Sequence, residues 1–192
     1  MAKLPPPFRA VGGHPMCGKE VAGLPAATAD LYDSQVFILT RNQRTDKVAE
    51  TLAEQVVTAV GAHSLWLEPQ KHDDMVAAVS HLPYLVSAVL MAVVAPQATP
   101  STAETAQGDE RLWQVSASGF RDTARLSGSD AAMLRDILLT NQTAVLAQLR
   151  AYQKQFTAVQ ALIKRGDENE ISAWLQARQG EYAQYRHVKD EG

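Results

Sequence analysis

The sequence predicts a mainly α protein with a small α/β part at its N-terminus, divided between residues 1–68 and 69–192. Three observations carry this expectation. β-rich runs and helical periodicity alternate only in the first third. No strand-like run follows Gln70. Apolar positions at steps of three and four then dominate to the end.

Each element can be justified in turn. "FRAVGG" and "QVFILT" are short β-rich runs, and "TDKVAETLAEQVVTAVGA" carries apolar residues at helical spacing, with Thr45 or Asp46 as cap and Gly61 as stop. "HSLWLEP" reads as another strand closed by Pro69, which completes the tail of a βαβ pattern. "KHDDMVAAVSHLPYLVSAVLMAVV" is one long apolar helix in which Pro83 removes the bond to the Val79 carbonyl and should introduce a bend. "PQATPSTAETAQGDER" is rich in small and polar residues and is expected to be a mobile connection. A helix capped by Ser129 should run to about Arg165, with Leu134, Ile137, Leu138, Val145, Leu149, Tyr152, Phe156, Val159 and Ile163 on its apolar face. "DENE" offers a capping box, Asp167 with Glu170, for a last helix through Trp174 and Tyr182. A helix of about 35 residues is roughly 50 Å long, too long for so small a domain to cover, so a homodimer is expected.

Composition narrows the function classes. The 192 residues carry 18 basic and 21 acidic side chains, a net charge of -3 without a basic stripe, which argues against nucleic acid as a partner. One cysteine, Cys17, cannot form an internal disulfide, and the N-terminal "MAKLPPPFRA" lacks the apolar core of a secretory signal, so the cytoplasm is the expected compartment. The apolar run Leu82 to Ala95 has 14 residues, whereas a bilayer takes about 20, so it reads as a buried helix and no membrane is expected.

Few residues can carry chemistry. In "GGHPMCGKE", His14 lies between two glycines and Pro15; from this segment alone a turn at a strand end is the commoner outcome. Cys17 beside His14 suggests a thiolate–imidazole pair, but no third group is visible to orient the ring. His63, His72 and His81 are nine apart, which places successive side chains on opposite sides of a helix, and no metal site is expected. At 100° per residue Asp73, Ser80 and Tyr84 fall within about 20° of one line, either satisfied buried polar groups or one wall of a small-molecule pocket. Arg121 and Arg125 could form a carboxylate clamp or, with Asp122 between them, a surface pair.

Taken together, "GGHPMCGKEVAGLPAA", "VFILT", "HDDMVAAVSHLPYLVSAVL" and "GFRDTARLSGSDAAMLRDILLTN" resemble the prephenate dehydrogenase family from about Phe8 to Leu149. The resemblance implies the trailing strands and helix of a Rossmann-type domain over 1–68. Over 69–192 it implies an all-helical substrate-binding and dimerisation domain, like the C-terminal domain of 6-phosphogluconate dehydrogenase. It also implies oxidative decarboxylation of prephenate to 4-hydroxyphenylpyruvate, with hydride passing to NAD or NADP. His14 matches the catalytic histidine, Arg125 the arginine that grips a substrate carboxylate, and Ser80, His72 and Asp73 the polar face of the same pocket. Cys17 fills a small-residue position. Tyr84 stands where many members have histidine, and Leu134 where tryptophan is usual. No G-x-G-x-x-G follows any strand here, so no dinucleotide is expected to bind this chain alone, and a truncated protein is the expectation. Arogenate as substrate and a non-catalytic helical association module remain alternatives.

Overall fold

The computed structural model describes residues 5, 7–18, 27–95 and 110–191. Three strands form one sheet: β1 (Gly12–Pro15), β2 (Val36–Thr40) and β3 (His63–Leu67), in the order β1-β2-β3. β1 runs antiparallel to β2, with His14 opposite Ile38, and β2 runs parallel to β3. The crossover from β2 to β3 is α1 (Lys47–Ala59), as the alternation of patterns predicts. Asp46 caps it by accepting from the Ala49 amide at 2.9 Å, and Gly61, at φ 74°, lets the chain leave the helix. Val57 of α1 packs with Leu39 and Ala62 to form the sheet's core.

The first strand departs from expectation. It is Gly12–Pro15 rather than "FRAVGG", so His14 stands on a strand and not in a loop. The reason is close approach: a Cβ on Gly12 would strike Thr40 Oγ1 and one on Gly13 the Phe37 ring, so a side chain at either position would force its neighbour on β2 to move.

Helices follow. α2 (Pro69–Val76), a π-helical turn (Ala77–His81) and α3 (Leu82–Val94) are continuous. The missing amide of Pro83 is absorbed in the wider turn just before it, where the Leu82 amide bonds the Ala77 carbonyl five residues back. The 26 residues Pro69–Val94 are long and apolar enough to cross a membrane by length and composition alone, a test that a helix covered by other protein also passes. The expectation that the run Leu82 to Ala95 is a buried helix holds for only part of it: Ser87 is buried, whereas Val89 and Val93 are exposed.

The expected connection at 96–111 falls almost wholly outside the described residues. Beyond it come α4 (Ser118–Ala124), a 3-10 turn (Arg125–Gly128), α5 (Ala131–Thr140), α6 (Gln142–Arg165) and α7 (Glu168–Glu191). The single helix expected from Ser129 to Arg165 is two helices, interrupted at Asn141 (φ -114°, ψ 33°). Its cap is Asp130, which accepts from the Met133 amide at 2.7 Å. Asp167 caps α7 through the Asn169 and Glu170 amides, while Glu170 turns away to Arg165, so only half of the capping box forms.

The chain has two compact units, Met1–Val145 and Leu146–Gly192. In the first, α2 packs on β2, and α3 packs on α4 and the 3-10 turn. The second comprises most of α6 and all of α7.

Candidate active site

β1 presents His14 at the junction of two clefts in the first unit. One, of about 590 Å³, is also lined by Met16, Cys17, Gln35 and Ser80. The other, of about 260 Å³, is lined by Thr40, Pro69, His72 and Asp73. The two ring nitrogens of His72 are both engaged. Its Nε2 lies 2.8 Å from His14 Nδ1, and its Nδ1 lies 2.8 Å from Asp73 Oδ1. These contacts are direct, ring nitrogen to ring nitrogen and ring nitrogen to carboxylate oxygen.

The surroundings hold this row in place. The His72 amide bonds the Glu68 carbonyl in the first turn of α2, and Asn141 Nδ2 donates to the Asp73 carbonyl at 2.8 Å. The same amide group lies 3.4 Å from Nδ1 of His81, which is buried. Partial burial, and then the neighbouring His72 ring, hold His14 below the ordinary histidine pKa. His81 is lowered by burial and by His14 and His72, against an opposing pull from Asp73.

The expected single polar wall does not form. Ser80 faces one cleft, Asp73 the other, and Tyr84 lines neither. The π turn between them is wider than an α turn, so residues beyond it are rotated from the line that 100° per residue predicts. Arg125 is exposed on the 3-10 turn, outside both clefts, while Arg121 bonds its neighbour Asp122 at 3.3 Å. That turn is anchored by Ser87, almost fully buried in α3, whose Oγ accepts from the Ser127 amide at 2.9 Å. Ser87 and Asn141 are the structural residues that periodicity missed: the first looks like an interruption of an apolar run, and the second lies inside a pattern read as unbroken helix.

Residues 68–177 match the family described as prephenate dehydrogenase, dimerization domain, and residues 2–66 the one described as prephenate dehydrogenase, nucleotide-binding domain. The chain belongs to the prephenate dehydrogenase family. It is 30% identical to a prephenate dehydrogenase of Bacillus subtilis over 88% of this chain and 43% of that protein. A cyclohexadienyl dehydrogenase of Zymomonas mobilis is 28% identical over 72% of this chain and 45% of its own length. The chain thus spans less than half the length of these relatives. Among solved structures, prephenate dehydrogenase from A. aeolicus, in complex with hydroxyphenyl propionate and NAD+, superposes with a TM-score of 0.81 at 30% identity. That match covers 91% of this chain and 58% of the other. Synechocystis arogenate dehydrogenase gives 0.76 at 28%, covering 91% and 61%.

A dinucleotide needs a helix N-terminus whose free amides can receive its pyrophosphate. Among the described residues the helix that follows β2 does not fit, because the carboxylate of Asp46 already occupies its N-terminus and pairs with Arg9. α2, which follows β3, begins with Pro69 and so has one amide fewer to offer.

Proposed function

We propose that this chain is the substrate-binding and dimerising part of a cytoplasmic prephenate dehydrogenase, converting prephenate, or its amino counterpart arogenate, by oxidative decarboxylation. The observation that carries this reading is His14, held by a hydrogen bond at the meeting point of two clefts in a member of this family. A nicotinamide, NAD or NADP, accepts the hydride in such a reaction.

The chain's own residues divide the remaining work. The ring hydroxyl of the substrate gives its proton to Nε2 of His14 as hydride leaves the same carbon, so the carbon–oxygen bond becomes a carbonyl. Release of carbon dioxide from the opposite ring carbon then returns electrons to the ring and makes it aromatic. A base with a pKa below the usual histidine value is neutral, and so competent, throughout the physiological range. Ser80, which lines the same cleft as His14, offers a hydroxyl to the substrate, and Arg125, outside both clefts, is assigned a substrate carboxylate by the family resemblance alone. Tyr84, which the resemblance assigns to the substrate pocket, lines neither cleft and can donate a hydrogen bond but brings no charge.

The test uses the protein joined to a complete nucleotide-binding domain. His14→Asn should lower kcat by about 10² to 10⁴-fold with little change in KM, the loss typical of a general base. Arg125→Ala should mainly raise KM. The acid limb of the rate should lie below about pH 6.5, the direction set by burial and His72, and should vanish in His14→Asn. A His14→Asn enzyme that keeps its rate and its acid limb would remove His14 from the chemistry.

A further inference from the structure

The resemblance places His72 and Asp73 on the substrate's side of the pocket, yet His72 has no ring nitrogen left for a substrate. Both are used, one by His14 and one by Asp73, each at 2.8 Å. We propose that His72 is a positioning residue, which with Asp73 fixes the tautomer of His14 so that Nε2 carries the accepting lone pair. The inference rests on the reading of His14 as the base.

Donor and acceptor capacity decides the tautomer. An ionised carboxylate can only accept, so His72 Nδ1 must carry the proton of the contact with Asp73. In its neutral form His72 then has a bare Nε2, which can only accept. His14 Nδ1 must therefore be the donor of the bond between the rings, and the lone pair of neutral His14 is confined to Nε2. The opposite tautomer would leave two lone pairs facing each other across 2.8 Å.

The row is anchored at both ends. His14 is fixed by the pairing of β1 with β2, and Asp73 by the bond from Asn141 to its carbonyl. His72 is half-buried, with 18% of its side chain exposed, so water competes weakly for its nitrogens. When His14 receives a proton, Nδ1 keeps the hydrogen it donates to His72, so the new N–H forms at Nε2 and the bond between the rings is preserved.

The decisive measurement needs no activity. Nitrogen-15 NMR of the histidine rings in the 192-residue chain, above about pH 7.5 where a histidine of ordinary pKa is neutral, reports which nitrogen of His14 is protonated. His14→Asn assigns the resonance. The expected result is protonation at Nδ1 in the parent, with the Nε2-protonated form rising several-fold in His72→Phe and in Asp73→Asn. A parent His14 protonated at Nε2 overturns the proposal whatever the variants do, as does a tautomer unmoved by both substitutions.

Kinetics on the protein joined to a complete nucleotide-binding domain give a second readout. His72→Phe should lower kcat by about 10²-fold, less than the roughly 10⁴ known for removing an orienting aspartate, with KM nearly unchanged. A rise in KM at constant kcat would make His72 a substrate ligand and overturn the positioning role. Failure of the base reading looks different, because His14→Asn would then keep its turnover while the tautomer result stood.

Discussion

His14 and His81 both bind protons less tightly than a free imidazole, the first through partial burial and then His72, the second through burial and then His14 and His72. The sign of the consequence follows from linkage. Above about pH 6.5 both rings are neutral in folded and unfolded chains alike. As the pH falls below that value the unfolded chain takes up protons first, so stability declines until the folded values are passed and then levels. The urea midpoint should therefore drop between about pH 7.5 and about pH 5.5, before the lowered carboxyls Glu50 and Glu54 begin to titrate. His81→Gln should flatten that slope, and a midpoint that stays constant in the parent would show the rings to be freely solvated. His14 stands out in the sequence only through the family resemblance, since from "GGHPMCGKE" alone a turn is the commoner outcome. Its bond to His72 is not legible there: His72 is 58 positions away, and the bond exists only once α2 has packed on β2.

Among the elements, periodicity found the long helices, misplaced their ends and passed over α4. The apolar positions from Leu134 to Ile163 run on without interruption, yet the backbone breaks at Asn141, where a side-chain amide reaches the Asp73 carbonyl. Local pattern carries no information about a bond to a residue 68 positions earlier. The same limit explains the cap of α5. Ser129 and Asp130 are both good capping residues, and only the geometry shows that Asp130 accepts from the Met133 amide. Asp130→Ala should cost ~1 kcal/mol in urea unfolding, as loss of a helix cap does, whereas Ser129→Ala should cost much less. Equal losses would mean that the two share the cap.

In the molecule as a whole, much apolar surface is left over. Phe156 and Ile163 are 57% and 64% exposed, and they fall on one face of α6, whose 24 residues span about 36 Å. Val79, Val89 and Val93 are open on the helix from Pro69 to Val94. Soluble proteins seldom leave large contiguous apolar patches exposed, and the dimerization-domain family covers both helices. A homodimer burying at least ~1,000 Å² is the expected state. Light scattering should report twice the chain mass at tens of micromolar, and Phe156→Asp with Ile163→Asp should give monomers. Leu149 is a poorer probe, because it is already partly covered within its own chain. A monomeric parent would overturn this assignment.

By itself the sequence determined the class of fold, the βαβ remnant and the helical remainder, because these depend on local periodicity, caps and breakers. Only the tertiary structure decided that His14 lies on a strand, since that needs Gly12 to pass close beside Thr40. It also decided that Ser80 and Asp73 face different clefts, since a π turn rotates one away from the other. The row from Asp73 through His72 to His14 belongs to the same class of fact. Hydrogen bonds between groups far apart in the chain depend on how elements dock, and docking is set by the packing of faces rather than by the order of residues along them.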